Sequence, residues 1–141
     1  MVIRKTMSSL LDGIPLLEKQ KPSEFSIKIA NTLEEREAVF QLAYQVYLEK
    51  GFIKINSQEM LIQNYDDKKE TIILIVSDQS KKIAGSLTLV FDESLRLPAE
   101  KIYGEEIKAL QSKGEKLLEV SRLVISPEYR NAKEILRLLI N

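Results

Sequence analysis

The sequence predicts an α+β domain built on a mixed sheet. Strand-like and helix-like periodicities follow one another in the order strand, helix, helix, hairpin, helix, strand, helix, which alternates too irregularly for a doubly wound parallel sheet. Two β-rich runs, 71–76 and 83–91, flank a short polar turn and read as a hairpin. The length of 141 residues, 44% of them hydrophobic, suits one domain with a modest core.

Residues 1–25 stand apart as an N-terminal arm, and 26–141 form the domain proper. In the arm, an apolar stretch from Leu10 to Leu17 is broken by Asp12, Gly13 and Pro15, and a polar run then closes on Pro22 and Ser23. A short helix packed on the domain and a disordered arm are both compatible with this pattern. Phe25, Ile27 and Ile29 then alternate with Ser26, Lys28 and Ala30, which is strand spacing. Thr32 opens a helix, with Glu35 three residues on to complete a capping box and Gly51 to close it. Val39, Leu42, Ala43, Val46 and Tyr47 fall on one face of that helix. A second helical segment is expected over 57–64, with Met60 and Leu61 as its apolar side.

The β-branched run from Thr71 to Val76 reads as a central strand covered on both faces. Asp78, Gln79, Ser80 and Lys81 turn the chain into the second strand of the hairpin. Pro98 precedes a helix with Ile102, Ile107 and Leu110 on one side and Gly114 as its stop. Residues 117–125 form another strand, ended by Pro127, and a final helix starts near Asn131 and runs to Ile140.

Composition narrows the chemistry. The 21 basic and 21 acidic residues cancel, so there is no cationic surplus for a sequence-independent grip on nucleic acid. The chain holds neither histidine nor cysteine. Within it, zinc sites of Cys and His, Cys–His and Ser–His nucleophilic catalysis, His-ligated haem and disulfides are therefore excluded, and no metal site is expected. Chemistry falls to carboxylates, Lys, Arg, Tyr, Ser, Thr and the backbone. The broken N-terminal apolar stretch is a poor signal peptide and falls short of the ~20 apolar residues of a membrane span. A soluble, cytoplasmic protein is expected.

The last strand is the most informative stretch, because Glu119 and Arg122 interrupt an apolar run. A period of two places Glu119 and Ser121 with Leu117, Leu123 and Ile125, and Arg122 on the opposite face with Leu118, Val120 and Val124. A carboxylate among aliphatic side chains must be paired or hydrogen-bonded. Burial also makes a carboxylate hold its proton more tightly, as a general base working near neutrality requires. A structural ion pair and a water-facing edge glutamate remain alternatives.

The stretch from Glu119 through Ser121, Arg122, Leu123 and Ile125 to Arg130 resembles the Glu-x-Ser-Arg-Leu/Phe-x-Ile/Val strand of the N-acyl amino acid synthases and the acyl-homoserine-lactone (autoinducer) synthases. Both are branches of the GNAT N-acyltransferase superfamily. The segments 44–52 and 103–114 resemble the same branch, and the likeness spans roughly residues 26 to 140. It implies a GNAT-like fold, with a mostly antiparallel sheet flanked by helices. It further implies transfer of a fatty acyl group from an acyl thioester to the amine of an amino acid or related small molecule. Glu119 takes the position of the base and Arg122 that of the arginine ordering the site. Tyr47, Phe52, Asp66 and Ser121 fall at acceptor positions; Leu123, Val124 and Ile125 supply backbone contacts to the pantetheine arm of the donor, and Arg130 contacts its phosphate end.

Departures from the family pattern refine the expectation. Ala43, Gln63 and Thr88 stand where autoinducer synthases carry Arg, Asp and Arg, which favours plain amino-acid acylation. The phosphate loop keeps Arg130, but over Asn131 to Ile135 both of its glycines are replaced, so close backbone approach to a pyrophosphate is hindered. Acyl-carrier protein is therefore favoured over acyl-CoA as co-substrate, with no permanently bound cofactor. The chain also stops before the strand that completes the family's cleft. That leaves the 117–125 strand as an open edge suited to homodimerisation. A noncatalytic binding module or inactive fragment, holding an acyl carrier or partner chain, is the alternative reading.

Overall fold

The computed structural model describes residues 2–5, 24–93, 96–130 and 133–141. Five strands, β1 (Val2–Lys5), β2 (Ser26–Ile29), β3 (Thr71–Ser77), β4 (Ile83–Phe91) and β5 (Lys116–Ile125), join in one sheet of order β1-β5-β4-β3-β2. Each pairing is antiparallel. The expected mixed sheet is thus antiparallel throughout the described residues, because tight turns and helical returns bring each strand back beside its neighbour. Helices α1 (Leu33–Glu49) and α2 (Glu100–Ser112) cover one face, and α3 (Lys133–Ile140) packs on the other.

The expected start and stop of α1 are both present. Thr32 Oγ1 accepts the Glu35 N–H while the Glu35 carboxylate accepts the Thr32 N–H, and Gly51 turns the chain away at φ +73°. Its buried stripe is Val39, Phe40, Ala43, Tyr44 and Val46. Leu42 and Tyr47 lie at the margin, because the Phe40 ring packs over Ile73 and Ile75 of β3 and turns the stripe toward itself.

Three expectations change. Val2–Lys5 belong to the sheet as a strand, covering the edge of β5 from Lys116 to Glu119. The rest of the predicted arm, 6–23, lies outside the described residues. Among those residues no strand pairs with 121–125 on that side, so the open edge expected for the whole strand is confined to its second half. Residues 57–64 form a loop instead of a helix. The Leu61 N–H bonds to the Phe40 carbonyl at 3.0 Å and the Leu61 carbonyl accepts from Arg122, so long-range partners take the groups a helix would have used. In α2 the turn is broken at Tyr103 (φ −114°, ψ 33°), which swings Ile102 out to 78% exposure while Ile107 stays buried.

Gly85 of β4 lies beneath α3. A Cβ there would stand 3.0 Å from Ile135 Cγ2, 3.1 Å from the Val124 carbonyl and 3.3 Å from Leu139 Cδ1. Gly85→Ala is expected to cost about 1–3 kcal/mol through overpacking. It should read as a lower urea midpoint with an unchanged slope.

Candidate active site

The pairing of β4 with β5 is regular from Gly85↔Ile125 to Thr88↔Arg122 and then jumps to Leu89↔Val120. Ser121 is therefore an extra residue, a β-bulge. The bulge resets the alternation of β5. Leu117, Glu119, Arg122 and Val124 now share the face beneath α1 and α2, where a strict period of two separates Glu119 from Arg122.

Arg122 is 4% exposed, and its guanidinium is held on three sides. Nη1 donates to the Leu61 carbonyl at 3.0 Å. Nη2 pairs with the Asp66 carboxylate and reaches Thr88 Oγ1 at 3.4 Å. The rings of Phe40 and Tyr65 stack against it with centroids 5.6 and 5.8 Å away. Asp66 is itself 2% exposed and accepts the Gln63 N–H at 2.6 Å. Each of its carboxylate oxygens has a partner within the chain, and Asp66 does not line the cavity in front of the pair. The arginine and its aspartate stand behind the site and fix the loop that bounds it.

In front of that pair lies a cavity of about 620 Å³, lined by Glu119 and Ser121 of β5, Tyr65 of the loop, and Arg96, Lys101 and Lys108 from the α2 side. Glu119 is buried at 8% exposure. Its Oε2 accepts the backbone N–H of Ala99, the residue capping α2, at 2.8 Å. A helix start favours an anion and holds it in place. Tyr65 and Ser121 meet through their hydroxyls. Burial pushes the Tyr65 hydroxyl above its ordinary value of 10, against the opposing pull of that hydrogen bond and of nearby Arg122, so it stays protonated at neutral pH.

Other predicted site residues lie elsewhere. Tyr47 and Phe52 pack edge to face, 5.9 Å between centroids, at the C-terminal end of α1, and neither lines this cavity. On β5 beyond the bulge, Val124 is buried against Ala43 and Val46, Ile125 is half-buried, and Leu123 is 42% exposed. Arg130 pairs with Glu49 at 3.1 Å. Sequence reasoning missed Tyr65 and the three cations. Tyr65 reaches Ser121 across a separation of 56 residues, for which the sequence carries no local signal.

The family model of the N-acyl amino acid synthase FeeM matches residues 38–141. The chain belongs to this family. Among solved structures, FeeM, an N-acyl amino acid synthase from uncultured soil microbes, matches with a TM-score of 0.68 at 19% identity, covering 81% of this chain and 60% of that one. That likeness bears out the GNAT-like α+β fold, and this FeeM-family chain spans about 60% of the length of that relative. No curated protein matches it. No helix of the described residues is long and apolar enough to cross a membrane.

Removing one member of the Arg122–Asp66 pair leaves a buried charge without its partner. Asp66→Ala is expected to destabilise the fold by about 3–5 kcal/mol. Urea unfolding followed by circular dichroism checks this. A loss below about 1 kcal/mol would show that the pair does not hold the loop.

Proposed function

We propose that this chain carries the acceptor site of an N-acyltransferase that moves a fatty acyl group from an acyl thioester to the amine of an amino acid. The carrying observation is Glu119, a buried carboxylate oriented by the first N–H of α2 and lining the cavity. In this reaction the neutral amine attacks the thioester carbonyl and a C–N bond forms. The C–S bond then breaks, and the proton lost by the nitrogen passes through Glu119 to the departing thiolate. No enzyme nucleophile is required, in keeping with a chain that lacks Cys and His.

The cavity walls accord with an acceptor that carries its own carboxylate. Lys101 and Lys108 line the same space as Glu119, while Arg96 is paired with Glu100, which also lines it. An α-amino acid presents an amine to the carboxylate and an anion to those cations. For the donor, the loop after β5 has Lys133 and Ile135 where a coenzyme A loop has its two glycines. We favour acyl-carrier protein, whose single phosphodiester demands less close backbone approach than a pyrophosphate.

Glu119→Gln keeps the shape and an acceptor for the Ala99 N–H but removes the base. Thiol release from long-chain acyl-carrier protein in the presence of mixed amino acids should fall by about 10²–10⁴-fold. Unchanged turnover would remove Glu119 from the mechanism. Lys101→Ala and Lys108→Ala are expected to raise KM for the amino acid about tenfold with kcat little changed, as loss of uniform binding does. An equal rise in KM for a decarboxylated amine would sink the carboxylate assignment.

A further inference from the structure

We propose that Tyr65 and Ser121 act as one hydroxyl pair that donates a single hydrogen bond to the oxyanion formed on the acyl carbonyl. The inference rests on the acyl-transfer reading above and adds a group that reading leaves out. Two neutral hydroxyls in contact hold two protons between them. One lies in the Tyr65–Ser121 hydrogen bond, whichever oxygen is the donor. The other is left to reach a third acceptor. Both residues line the cavity that Glu119 lines, so that acceptor is a group within it.

The pair is held in place before any ligand arrives. The Tyr65 residue is 8% exposed, packed with Val90, Leu97, Ile107 and Leu117 and stacked against the Arg122 guanidinium. Its backbone carbonyl accepts from Thr71 Oγ1 at 2.6 Å. Ser121 is the bulge residue, left out of the ladder, and its hydroxyl meets that of Tyr65 in the loop. A donor fixed in place before the ligand arrives is suited to charge that develops only in the transition state.

The chemical step needs such a donor. As the amine nitrogen bonds to the thioester carbonyl carbon, the C=O π pair moves onto oxygen. That oxyanion accepts the free O–H of the pair and keeps it until the pair of electrons returns and the C–S bond breaks. The hydroxyls give up no proton: the nitrogen's proton goes to Glu119 and on to the thiolate, so the products are the amide and the free thiol.

The geometry predicts an unusual pattern in variants. Tyr65→Phe leaves the Ser121 O–H, and Ser121→Ala leaves the Tyr65 O–H. Either single variant still offers one donor and should lose no more than about tenfold in kcat. Tyr65→Phe/Ser121→Ala offers none and should lose about 10²–10³-fold, the usual effect of removing an oxyanion donor. A double loss larger than the product of the single losses, with thermal midpoints alike, supports the pair. A double loss equal to or smaller than that product overturns it, because two donors that replace each other require the excess.

Binding of dodecylphosphonate, whose P–O⁻ mimics the oxyanion, gives a readout that needs no turnover. Isothermal titration should show the wild-type chain binding at least tenfold more tightly than the double variant. Equal binding overturns the pair even if the wild type acylates amino acids. A wild type that turns over no substrate overturns the acyl-transfer reading, and the titration then decides on the pair as an anion donor by itself.

Discussion

The buried guanidinium of Arg122 is the constraint on which the site depends. A cation that is 4% exposed must find acceptors, and the loop between α1 and β3 provides the Leu61 carbonyl and the Asp66 carboxylate. Meeting that requirement draws the loop across the sheet and sets Tyr65 above Ser121. Arg36 of α1 adds a further tie, donating to the Asp66 carbonyl at 2.6 Å. Helix, loop, β4 and β5 are thereby joined at one charge. The Arg122 Nε has no partner among the described residues, so the joint is bought at some desolvation cost.

The bulge at Ser121 makes this joint compatible with the buried carboxylate of Glu119 on the same face. Without it, Glu119 and Arg122 would project to opposite faces, one toward α3 and the other toward α1. The extra residue brings both to the same side and leaves them different partners. Arg122 takes Asp66 and Leu61, while Glu119 takes the start of α2. Keeping the two apart matters. A Glu119 neutralised by Arg122 would be a structural ion pair, the alternative that the sequence left open. The structure assigns that role to Asp66 instead.

Legibility followed the range of the interactions. The capping box at Thr32 and Glu35, the stop at Gly51 and the hairpin turn at Asp78 are fixed by groups within a few residues of one another, and all were readable. Glu119 was readable because a charge inside an apolar run stands out in any register. The facing of Arg122 was not, since a bulge is set by how two strands pair and a single strand contains no mark of it. The loop at 57–64 departs from its helical pattern for the same reason: Met60 and Leu61 do pack inward, but the Leu61 backbone groups answer to Phe40 and Arg122. Tyr47 and Phe52 form an aromatic pair, as their chemistry invites, yet the fold places them apart from the carboxylate.

Glu119 also acts where a helix cap is ordinarily found. Ala99 has no side chain able to accept a hydrogen bond, and α2 starts with N–H groups in need of acceptors. The Leu97 N–H is taken by Glu100 at 3.0 Å and the Ala99 N–H by Glu119, across a separation of 20 residues. The break at Tyr103 detaches this first turn from the rest of α2, so the turn can follow the carboxylate while the later turns keep Ile107 in the core. A carboxylate that caps a helix is oriented by a backbone dipole that side-chain motion cannot withdraw. The same contact makes the wall of the cavity depend on Glu119, because loss of the acceptor uncaps the helix that carries Lys101 and Lys108. Structural and chemical demands thus meet on one carboxylate, and only a substitution that preserves the acceptor can tell them apart.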